Sequence, residues 1–483
     1  MCIRDSSNAN SGIWFDPSYE DILPNGCPTG NFYFVDQNHP LASDDNPGTE
    51  EEPWGTIQKA ADTLVAGDIV LVKSGIYYQD GKCDVMTEWG FHTCAIHPRN
   101  SGTADKPIIY MAYPGDKVII DGGGSYIGFY IYGLDYITIK GFEIQNTIQA
   151  GIWINYGSPN NIILEDLTIH DVDGKKGNNI AGIKLNGCAN CIIRNTVIHN
   201  ITANGDIANG HCIQSYDMTN TTIENNEMWN AAHGVFHKRS AGTKGAIIRN
   251  NLFHDIVSEC VLYSISGTGN PPHIDQEFYQ NICYNTPRGV RFDGGTETSS
   301  LHSGIYIYNN IFDVSDTGIW LWGCKSINIW NNIIRAGNYN IVTQTTENFF
   351  DLVNYNLYYP SENFILNRYT PSKIVYNSLF DWQVATNFDS NSLNNDPLFR
   401  NLETHDFHLR GNSPCIGTGI DRQDYDGDDN TTEPINMGAY ITGNETIGLI
   451  DLSQYIVEES QPNSCASQNG VCCNENQICQ NGT

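Results

Sequence analysis

The chain has 483 residues, with 55 aspartates and glutamates against 25 lysines and arginines, which gives a formal net charge of −30. This balance disfavours nucleic acid and anionic membranes as partners. No apolar run approaches the ~20 residues that a transmembrane helix needs, so we do not expect membrane insertion.

The N-terminal third begins with a segment that carries no fold signal. Residues 1–30, which open with "MCIRDSSNANSG", lack the apolar core of a signal peptide, and we interpret them as a leader or a fragment end. Thr56 is expected to N-cap a short amphipathic helix at Ile57–Leu64 that covers the end of the fold. A hairpin-like insertion follows, and we expect it to close on a Cys83–Cys94 disulfide.

The chain then repeats one phrase, in which two polar residues separate two short alternating strands. Examples are "TIENNEMWN", "AIIRNNLFHD" and "NIWNNIIRA", and a third short strand follows each after a variable loop. Three period-2 strands in each unit of 22–31 residues predict a parallel β-helix. Aligned on the second polar residue, the corners fall at Gly141, Asp166, Asn195, Asn226, Asn251, Asn281, Asn310, Asn332 and Asn356.

The repeated asparagine has a structural explanation. Asparagine tolerates the left-handed backbone conformation that a tight bend requires. Its amide both donates and accepts, so copies stacked at roughly 4.8 Å can hydrogen bond to one another. We therefore expect these asparagines to be structural, and the variable loops to wall a groove on one side.

Motifs near both ends of the repeats point to a known fold. The first segment carries Asp45, Asn46, Pro47 and Gly48, followed by a Gly67–Asp68 turn; the last carries "NDPLFRN", "HDFHLRGNSPCIGTGID" and "NMGAYI". These segments resemble secreted right-handed parallel β-helix proteins of the pectin-lyase-like (polysaccharide-lyase-like) superfamily. The resemblance covers residues 31–442 and implies an all-β fold, a right-handed single-stranded parallel β-helix with an N-terminal capping helix. It does not identify the function, because such helices include lyases, hydrolases, epimerases and non-catalytic proteins.

The remainder of the chain is predicted to lie outside the β-helix. Residues 443–464 are interpreted as a linker, and residues 465–483, "CASQNGVCCNENQICQNGT", as a small Cys-rich tail. Together with the tail, 15 cysteines and five glycosylation sequons predict a secreted, extracellular glycoprotein from an oxidising compartment. An odd cysteine count leaves at least one thiol free or intermolecular. The sequons are at Asn200, Asn220, Asn430, Asn444 and Asn481.

Residues that face outward from the third strand of each unit are predicted to form columns. One column contains Trp153, Lys184, Gln214, Phe236, Tyr263, Arg291 and Trp320; the next contains Asn155, Asn186, Tyr216, Lys238, Ile265, Asp293 and Trp322; the position before the strand contains His211, His233 and Arg288. Because cations are scarce in this chain, their concentration on one wall favours a glycan site. The alternative is that the tryptophans cover the sheet and the cations pair with carboxylates.

These residue types suit an acidic polysaccharide. Trp153, Trp320 and Trp322 are candidates to stack on sugar rings, and Lys184 and Arg288 to hold uronate or sulfate groups. A glycan is therefore the expected partner.

A polysaccharide lyase needs a base for the C5 proton, a positive charge for the C5 carboxylate and an acid for the leaving oxygen. Lys238 is the candidate base, with Arg239 and Arg291 favouring its neutral form. Arg291, or Ca²⁺ bound by Asp217 and Asp293, would neutralise the carboxylate. The candidate acids are Tyr216, His211 and His233.

An acidic loop near the C-terminal end offers a second candidate calcium site. In "DYDGDDNTTE", Asp424, Asp426 and Asp428 alternate as in a Ca²⁺ loop, although the glycine at position six and the glutamate at position twelve of an EF-hand are missing. The alternative is a metal-free acidic loop. No other cofactor is expected.

The predicted function is cleavage of an acidic polysaccharide by β-elimination. The sequence contains neither the Gly-His-Gly motif of polygalacturonase-type hydrolases nor the Asn-Lys and Arg-His-Gly motifs of alginate and chondroitin lyases of this fold. The main alternative is a non-catalytic extracellular glycoprotein that binds glycan or forms a filament or wall, with β-helices associating end to end. Hydrolysis by the paired carboxylates of Asp217 and Asp293 is a third possibility.

Overall fold

The structure is a computed structural model that describes residues 30–449. Within this range it omits residues 79–82, 88–89, 156, 175–178, 204–208, 239–242, 266–271, 295–300, 344–349, 362, 367–372, 423 and 425–426. For residues 83–87 and 90–92 it describes the backbone alone. The predicted leader up to residue 29, the Cys-rich tail and most of the predicted linker lie outside the described residues.

Three stacks of short parallel strands make up most of the fold, and each turn of the chain adds a strand to the stacks. The first sheet contains 12 strands: Phe32–Val35, Ile69–Val72, Ile108–Ala112, Ile137–Lys140, Ile163–Glu165, Ile192–Arg194, Thr222–Glu224, Ile247–Arg249, Ile274–Tyr279, His302–Tyr308, Cys324–Trp330 and Phe350–Asn354. The predicted parallel β-helix is confirmed.

Two further sheets complete each turn. The second sheet contains Gly75–Tyr78, Val118–Asp121, Phe142–Gln145, Thr168–Gly174, Val197–Ala203, Glu227–Trp229, Leu252–His254, Ile333–Ala336, Leu357–Tyr358 and the first halves of Ile282–Asp293 and Ile311–Trp322. The third sheet contains Cys83–Thr87, Gly90–Ile96, Ile127–Tyr132, Ala150–Asn155, Ile180–Asn186, Gly210–Tyr216, His233–His237, Glu259–Ser264, Tyr339–Thr343, Phe364–Leu366, Ile374–Tyr376 and the second halves of those two long strands.

The interior of the helix is a stack of aliphatic side chains. Strand alternation sends every second residue inward, and parallel pairing in register places like residues above one another. In the third sheet this produces one unbroken buried column: Ile152, Ile183, Ile213, Val235, Val261, Val290, Ile319 and Ile341.

The predicted asparagine ladder is also present and lies inside the corner. Each side-chain amide donates from Nδ2 to Oδ1 of the next member at 2.9–3.1 Å. Each Oδ1 also accepts the backbone N–H of the previous member, so the side-chain amides form their hydrogen bonds within the protein. The members are Asn226, Asn251, Asn281, Asn310, Asn332 and Asn356.

The predicted alignment is wrong by one residue at the first three corners. Thr196, not Asn195, belongs to the ladder, because its backbone N–H donates to Oδ1 of Asn226 at 2.9 Å. Gly141, Asp166 and Asn195 instead occupy the preceding position, with φ angles of 78°, 54° and 50°. Two adjacent positions therefore have different roles: the first adopts the left-handed backbone conformation of the bend, and the second belongs to the ladder.

Both ends of the stack are covered by a short helix. Helix α1, Ile57–Thr63, is capped as predicted, because Thr56 accepts a hydrogen bond from the Lys59 backbone N–H. Helix α2, Leu379–Thr386, is capped in the same way by Ser378. Each helix buries part of one face against the core.

The last described segment folds back over the outer surface of the second sheet. It contains the antiparallel pair Phe399–Asn401 and Asp406–Leu409. Its backbone binds the corners, with Gly438 N–H donating to the Asn331 carbonyl at 2.7 Å and Gly448 N–H to the Asn250 carbonyl at 2.8 Å. Apolar residues of the segment pack on those of the sheet; the cluster includes Ile282, Ile311, Ile333, Leu357, Phe399, Phe407 and Met437. No helix in the described part of the chain is long and apolar enough to span a bilayer.

Disulfides follow the sequence prediction in part. Cys94 is disulfide-bonded, and Cys83 lies opposite it in the antiparallel pair. A second disulfide joins Cys188 and Cys191 at a turn. Further buried free thiols within the helix or its closing segment are Cys212, Cys260, Cys283 and Cys415, and Cys324 is also buried.

Candidate functional site

The outward residues of the third sheet form the predicted columns, which we call the third-sheet face. One column is Trp153, Lys184, Gln214, Phe236, Leu262, Arg291 and Trp320. The next includes Asn186 and Tyr216 in one ladder and Ser264, Asp293 and Trp322 in another, with Lys238 directly after its strand. The column before them is His211, His233, Glu259, Arg288 and Thr317.

The prediction is wrong at one turn, where Leu262 and Ser264 face outward and Tyr263 faces inward. Tyr263 stacks between His237 and Phe292 in the interior. The cause is a missing alignment marker. Most turns have glycine at this corner, because a Cβ on Gly234 would lie 2.4 Å from the Phe253 ring, but this turn has Cys260 instead.

Glu259, which was not among the predicted site residues, is the centre of charge on this face. It is 1% exposed and lies between His233 and the two arginines. His233 Nε2 lies 3.0 Å from Glu259 Oε2, while Arg288 and Arg291 both donate to Oε1. Burial alone raises the pKa of Glu259, but the hydrogen bond and charge of His233 and the charge of Arg288 outweigh it, so the pKa lies well below its ordinary value.

The two arginines are therefore already paired. Arg291 also donates to Asp293 at 3.1 Å, and Arg288 donates to Asp316 at 3.2 Å. Burial raises the pKa of Asp293, an effect that Arg291 only partly offsets. The positive charge predicted at Arg291 is thus largely balanced by carboxylates of the protein.

His211 and His233 are in direct contact. Their Nδ1 atoms are 3.0 Å apart, and both rings pack on Phe236. His211 is 1% exposed, and its Nε2 atom has no hydrogen-bond partner within the described ranges. Burial lowers the pKa of His211 well below its ordinary value, and the charges of His233, Lys238 and Lys184 lower it further.

Lys238 and Tyr216 share one amide group. The Lys238 Nζ atom donates to Asn179 Oδ1 at 2.7 Å, and Asn179 Nδ2 donates to the Tyr216 hydroxyl at 3.3 Å. Asn179, which was not among the predicted site residues, therefore positions the candidate base Lys238 beside the candidate acid Tyr216. Arg239 lies outside the described residues.

The predicted sugar-stacking surface is only partly open. Lys184 lies over the Trp153 ring at 4.3 Å, and the Arg291 guanidinium lies over the Trp320 ring at 5.0 Å. Both rings are buried, so they support the cations above them instead of facing a ligand. Trp322 is half-buried and keeps part of its surface for contact.

The two predicted calcium ligands of the face, Asp217 and Asp293, do not come together. Their strands are three turns apart in the third sheet, or about 14 Å at the ~4.8 Å strand spacing. One ion with ligand distances of about 2.4 Å does not bridge them. The same separation removes the predicted hydrolytic pair.

The acidic loop does bring carboxylates together. Ligand oxygens of Asp421, Asp424 and Asp428 lie within 4.8 Å of one another. Asp421, which is buried, was not predicted, and Asp426 lies outside the described residues.

The predicted glycosylation sites differ in exposure. Asn220 and Asn444 are exposed, and Asn430 is half-buried. Asn200 takes part in a side-chain ladder, accepting from Asn230 at 2.7 Å and donating to Asp171 at 3.0 Å. The fifth site, Asn481, lies outside the described residues.

Comparison with known proteins finds one family model and several related chains. Residues 33–251 match the model of the Pel9A-like right-handed beta-helix region. The uncharacterized protein YwoF of Bacillus subtilis is 23% identical over 475 residues, covering 82% of this chain and 94% of that protein. Pectate lyase PEL9 of Emericella nidulans is 36% identical over 83 residues, or 17% of either chain. The crystal structure of pectate lyase Pel9A covers 84% of this chain and 95% of its own, with 14% identity and a TM-score of 0.49.

The family match and the observed strand order agree on the architecture. The match includes the first turns of the helix, from Tyr33 to Asn251, and the later turns continue the same three sheets. The predicted resemblance is therefore confirmed: the chain folds as a right-handed parallel β-helix, and its residues 33–251 match the Pel9A-like right-handed beta-helix region.

Proposed function

We propose that this protein is a secreted polysaccharide lyase that cleaves an acidic polysaccharide by β-elimination on the third-sheet face. The observation that carries the proposal is the Lys238–Asn179–Tyr216 contact, which holds an amine and a phenol on one amide. A base for the C5 proton and an acid for the leaving oxygen are the two proton-transfer groups that β-elimination requires.

The charge of the face supports an acidic substrate. Lys184, Lys238, Arg288 and Arg291 lie within five consecutive turns of the third sheet in a chain of net charge −30. Carboxylates already pair with both arginines, and Lys184 adds a further positive charge to the face for uronate recognition.

The roles follow from these contacts. Lys238, as the neutral amine, takes the C5 proton, and Lys184 compensates the charge that develops on the C5 carboxylate. The acid belongs to the group of Tyr216, His211 and His233. The similarity of residues 33–251 to a pectate-lyase family region supports a uronate-containing glycan as the substrate.

The test is an assay for unsaturated products, which absorb in the near ultraviolet, on polygalacturonate, alginate, chondroitin sulfate and neutral xylan. We expect product from at least one of the acidic glycans and none from xylan. Lys238→Ala should lower kcat at least about 100-fold through loss of the base. Lys244→Ala, which removes an exposed lysine at a corner of the first sheet, is the matched control and should change kcat less than about twofold.

Absence of unsaturated product from every acidic glycan would exclude the lyase. Equal activity of Lys238→Ala and Lys244→Ala would instead keep the reaction and move its base elsewhere.

The non-catalytic alternative has one observation in its favour. At the end of the helix, α2 exposes Phe380 (70%) and Val384 (65%) on one side, beside exposed Ile374 and Val375 of the last strand. An exposed apolar end suits end-to-end association of copies in a filament. Sedimentation of wild type and Phe380→Asp would test it: a wild-type assembly that Phe380→Asp dissolves, with no lyase activity, favours this alternative.

Calcium remains part of the proposal at the acidic loop. Three carboxylates of Asp421, Asp424 and Asp428 offer the hard oxygen ligands that Ca²⁺ prefers. Calcium titration followed by thermal unfolding should raise Tm in wild type and not in Asp424→Asn. An equal Tm with calcium and with chelator in wild type would exclude a stabilising ion there.

A further inference from the structure

The carboxylate of Glu259 fixes the orientation of His233. Its Oε2 atom accepts from His233 Nε2 at 3.0 Å, while Oε1 accepts from Arg288 and Arg291. A carboxylate bonded to three donors is anionic and cannot itself donate, so His233 holds a proton on Nε2.

Only one proton can lie between the Nδ1 atoms of His211 and His233. Nδ1 of His233 and Nδ1 of His211 are 3.0 Å apart, a hydrogen-bond distance at which one nitrogen donates and the other accepts. Two imidazolium rings would direct two N–H groups at each other. The pair therefore holds at most a single positive charge.

The surroundings decide which ring carries that charge. His233 has the buried carboxylate of Glu259 as a counter-ion. His211 is buried, and the cations Lys184 and Lys238 face it from the neighbouring turn and from the end of the next strand. The charged groups around the pair are Lys184, Lys238, Glu259, Arg288 and Arg291. The charge therefore belongs on His233, and His211 stays neutral.

The His211 Nε2 atom is the single open terminus of this chain of contacts. It is buried and without a partner in the part of the chain that the structure describes, whereas the other ring nitrogens of the pair are occupied. An unsatisfied buried nitrogen is unfavourable, and a ligand group or a water that hydrogen bonds to it would remove that cost.

Resting on the function proposed above, the geometry points to a proton relay, Glu259–His233–His211, in which His211 is the acid for the leaving oxygen and Glu259 is a positioning residue. The relay selects His211 over Tyr216 and His233 as the donor. His233 is not the direct donor, because both of its nitrogens are engaged within the protein.

The proton balance of the step is complete. In the loaded state, His233 holds protons on both nitrogens and His211 holds one on Nε2. Lys238 takes the C5 proton, the C5–H electron pair forms the C4–C5 double bond, and the C4–O bond electrons pass to the leaving oxygen. His211 gives its Nε2 proton to that oxygen and takes the Nδ1 proton of His233. Water then returns one proton to the pair and accepts one from Lys238.

The substrate reaches Nε2 directly or through one water. Because His211 is 1% exposed, the bound glycan displaces the neighbouring Phe236 side chain to do so.

The direct test is ¹⁵N NMR of the imidazole rings of wild-type protein across pH, with His211→Asn and His233→Asn used for assignment. We expect one proton to be taken up by the pair, with the charge on His233, while the single proton of His211 moves from Nδ1 to Nε2. Formation of imidazolium at His211, uptake of two protons, or an unchanged His211 tautomer would each overturn the relay. This readout needs no substrate and holds even where the lyase assay fails.

The kinetic test compares Glu259→Gln with Asp316→Asn on whichever of polygalacturonate, alginate and chondroitin sulfate the wild type cleaves. Both changes remove one carboxylate from Arg288, but only Glu259 touches a histidine. Glu259→Gln should lower kcat about 100-fold with KM changed less than about threefold, because the relay acts in proton transfer. Because the variant removes the negative charge beside the relay, the pH profile of kcat should also change.

Asp316→Asn should leave kcat within about twofold of wild type and the pH profile unchanged. Equal effects of the two variants, or a Tyr216→Phe variant that alone abolishes turnover while Glu259→Gln behaves as Asp316→Asn, would overturn the relay. If Glu259→Gln does not fold, the wild-type NMR measurement decides. A wild type that cleaves none of the glycans would refute the proposed function and leave the tautomer result to stand separately.

Discussion

The second and third sheets both carry histidines on their outer surfaces, but they use them differently. On the second sheet, His170, His199, Trp229, His254 and Tyr284 stack in order with ring centroids 4.3–5.2 Å apart. On the third-sheet face, His211 and His233 contact each other through their Nδ1 atoms, and Lys184 and Lys238 lie nearby in place of further stacked rings. The regular ring stack of the second sheet has a structural role, and the candidate site lies on the face where no such regular stack forms.

The surroundings of His254 and His211 shift the pKa values of these two side chains in opposite directions. Burial alone lowers the pKa of His254, but hydrogen bonds to Glu227 and Asp255 outweigh it and raise the pKa above its ordinary value. Burial lowers the pKa of His211, and His233 and the nearby lysines add to that effect. Histidine is thus favoured as a cation at His254 and as a neutral group at His211.

The largest effect should come from the asparagine ladder that both surfaces share. Asn281→Ala removes a side chain that bonds to Asn251, Asn310 and two backbone carbonyls in a fully buried corner. We expect the free energy of unfolding to fall by about 4 kcal/mol, because several buried groups lose their partners. Urea denaturation measures this change.

The control is the exposed ladder next to the second sheet. Asn230→Gly removes one exposed amide bond, to Asn200, at a position whose φ of 49° suits glycine. It should cost less than about 1 kcal/mol. Equal losses in the two variants would show that the buried ladder has no special role.

Binding should distinguish the two surfaces by about tenfold. Lys184→Met keeps the packing on Trp153 and removes a charge from the third-sheet face, so the Kd for an oligogalacturonate, measured by calorimetry at low salt, should rise about tenfold. Lys117→Met removes an exposed lysine that pairs with Glu143 at the second sheet, and we expect no change. A larger effect of Lys117→Met than of Lys184→Met would place the glycan on the second sheet and contradict binding on the third-sheet face.

The smallest effects concern pH. His254 has a raised folded-state pKa, so its contribution is fully present below the unfolded value of 6.5 and is lost as pH rises through the folded value. His211 has a lowered one, so its contribution is present above 6.5 and is lost as pH falls. Urea unfolding at pH 5 and 8 should show His254→Gln to be most destabilising at pH 5, and His211→Gln at pH 8. The same pH dependence in both variants would contradict the assigned environments.

Strand period and the asparagine corner were enough to predict the coil, its outward columns and the cap at Thr56. The alignment failed where a marker changed identity, as at Cys260 in place of glycine and Thr196 in place of asparagine. A register based on interior residues, such as Val261 between Val235 and Val290, would have placed Tyr263 inside.

The candidate site was predicted less completely, because an alignment of outward residues does not show which side chains pair with one another. Glu259 was overlooked although it occupies the His211 column, since the missing glycine hid its register. Asn179 precedes its strand and is brought to Lys238 across 59 residues by stacking alone. Arg291 pairs with two carboxylates, which weakens its predicted role. This pairing is seen only from distances in the folded structure.

The most direct measurement is a crystal structure of Lys238→Ala soaked with an oligogalacturonate or an oligoalginate. The account predicts sugar density along the third-sheet face, with a uronate carboxylate near Lys184 and a glycosidic oxygen near His211 Nε2. Density over the His170–Tyr284 stack of the second sheet, or no bound sugar at millimolar ligand, would contradict it.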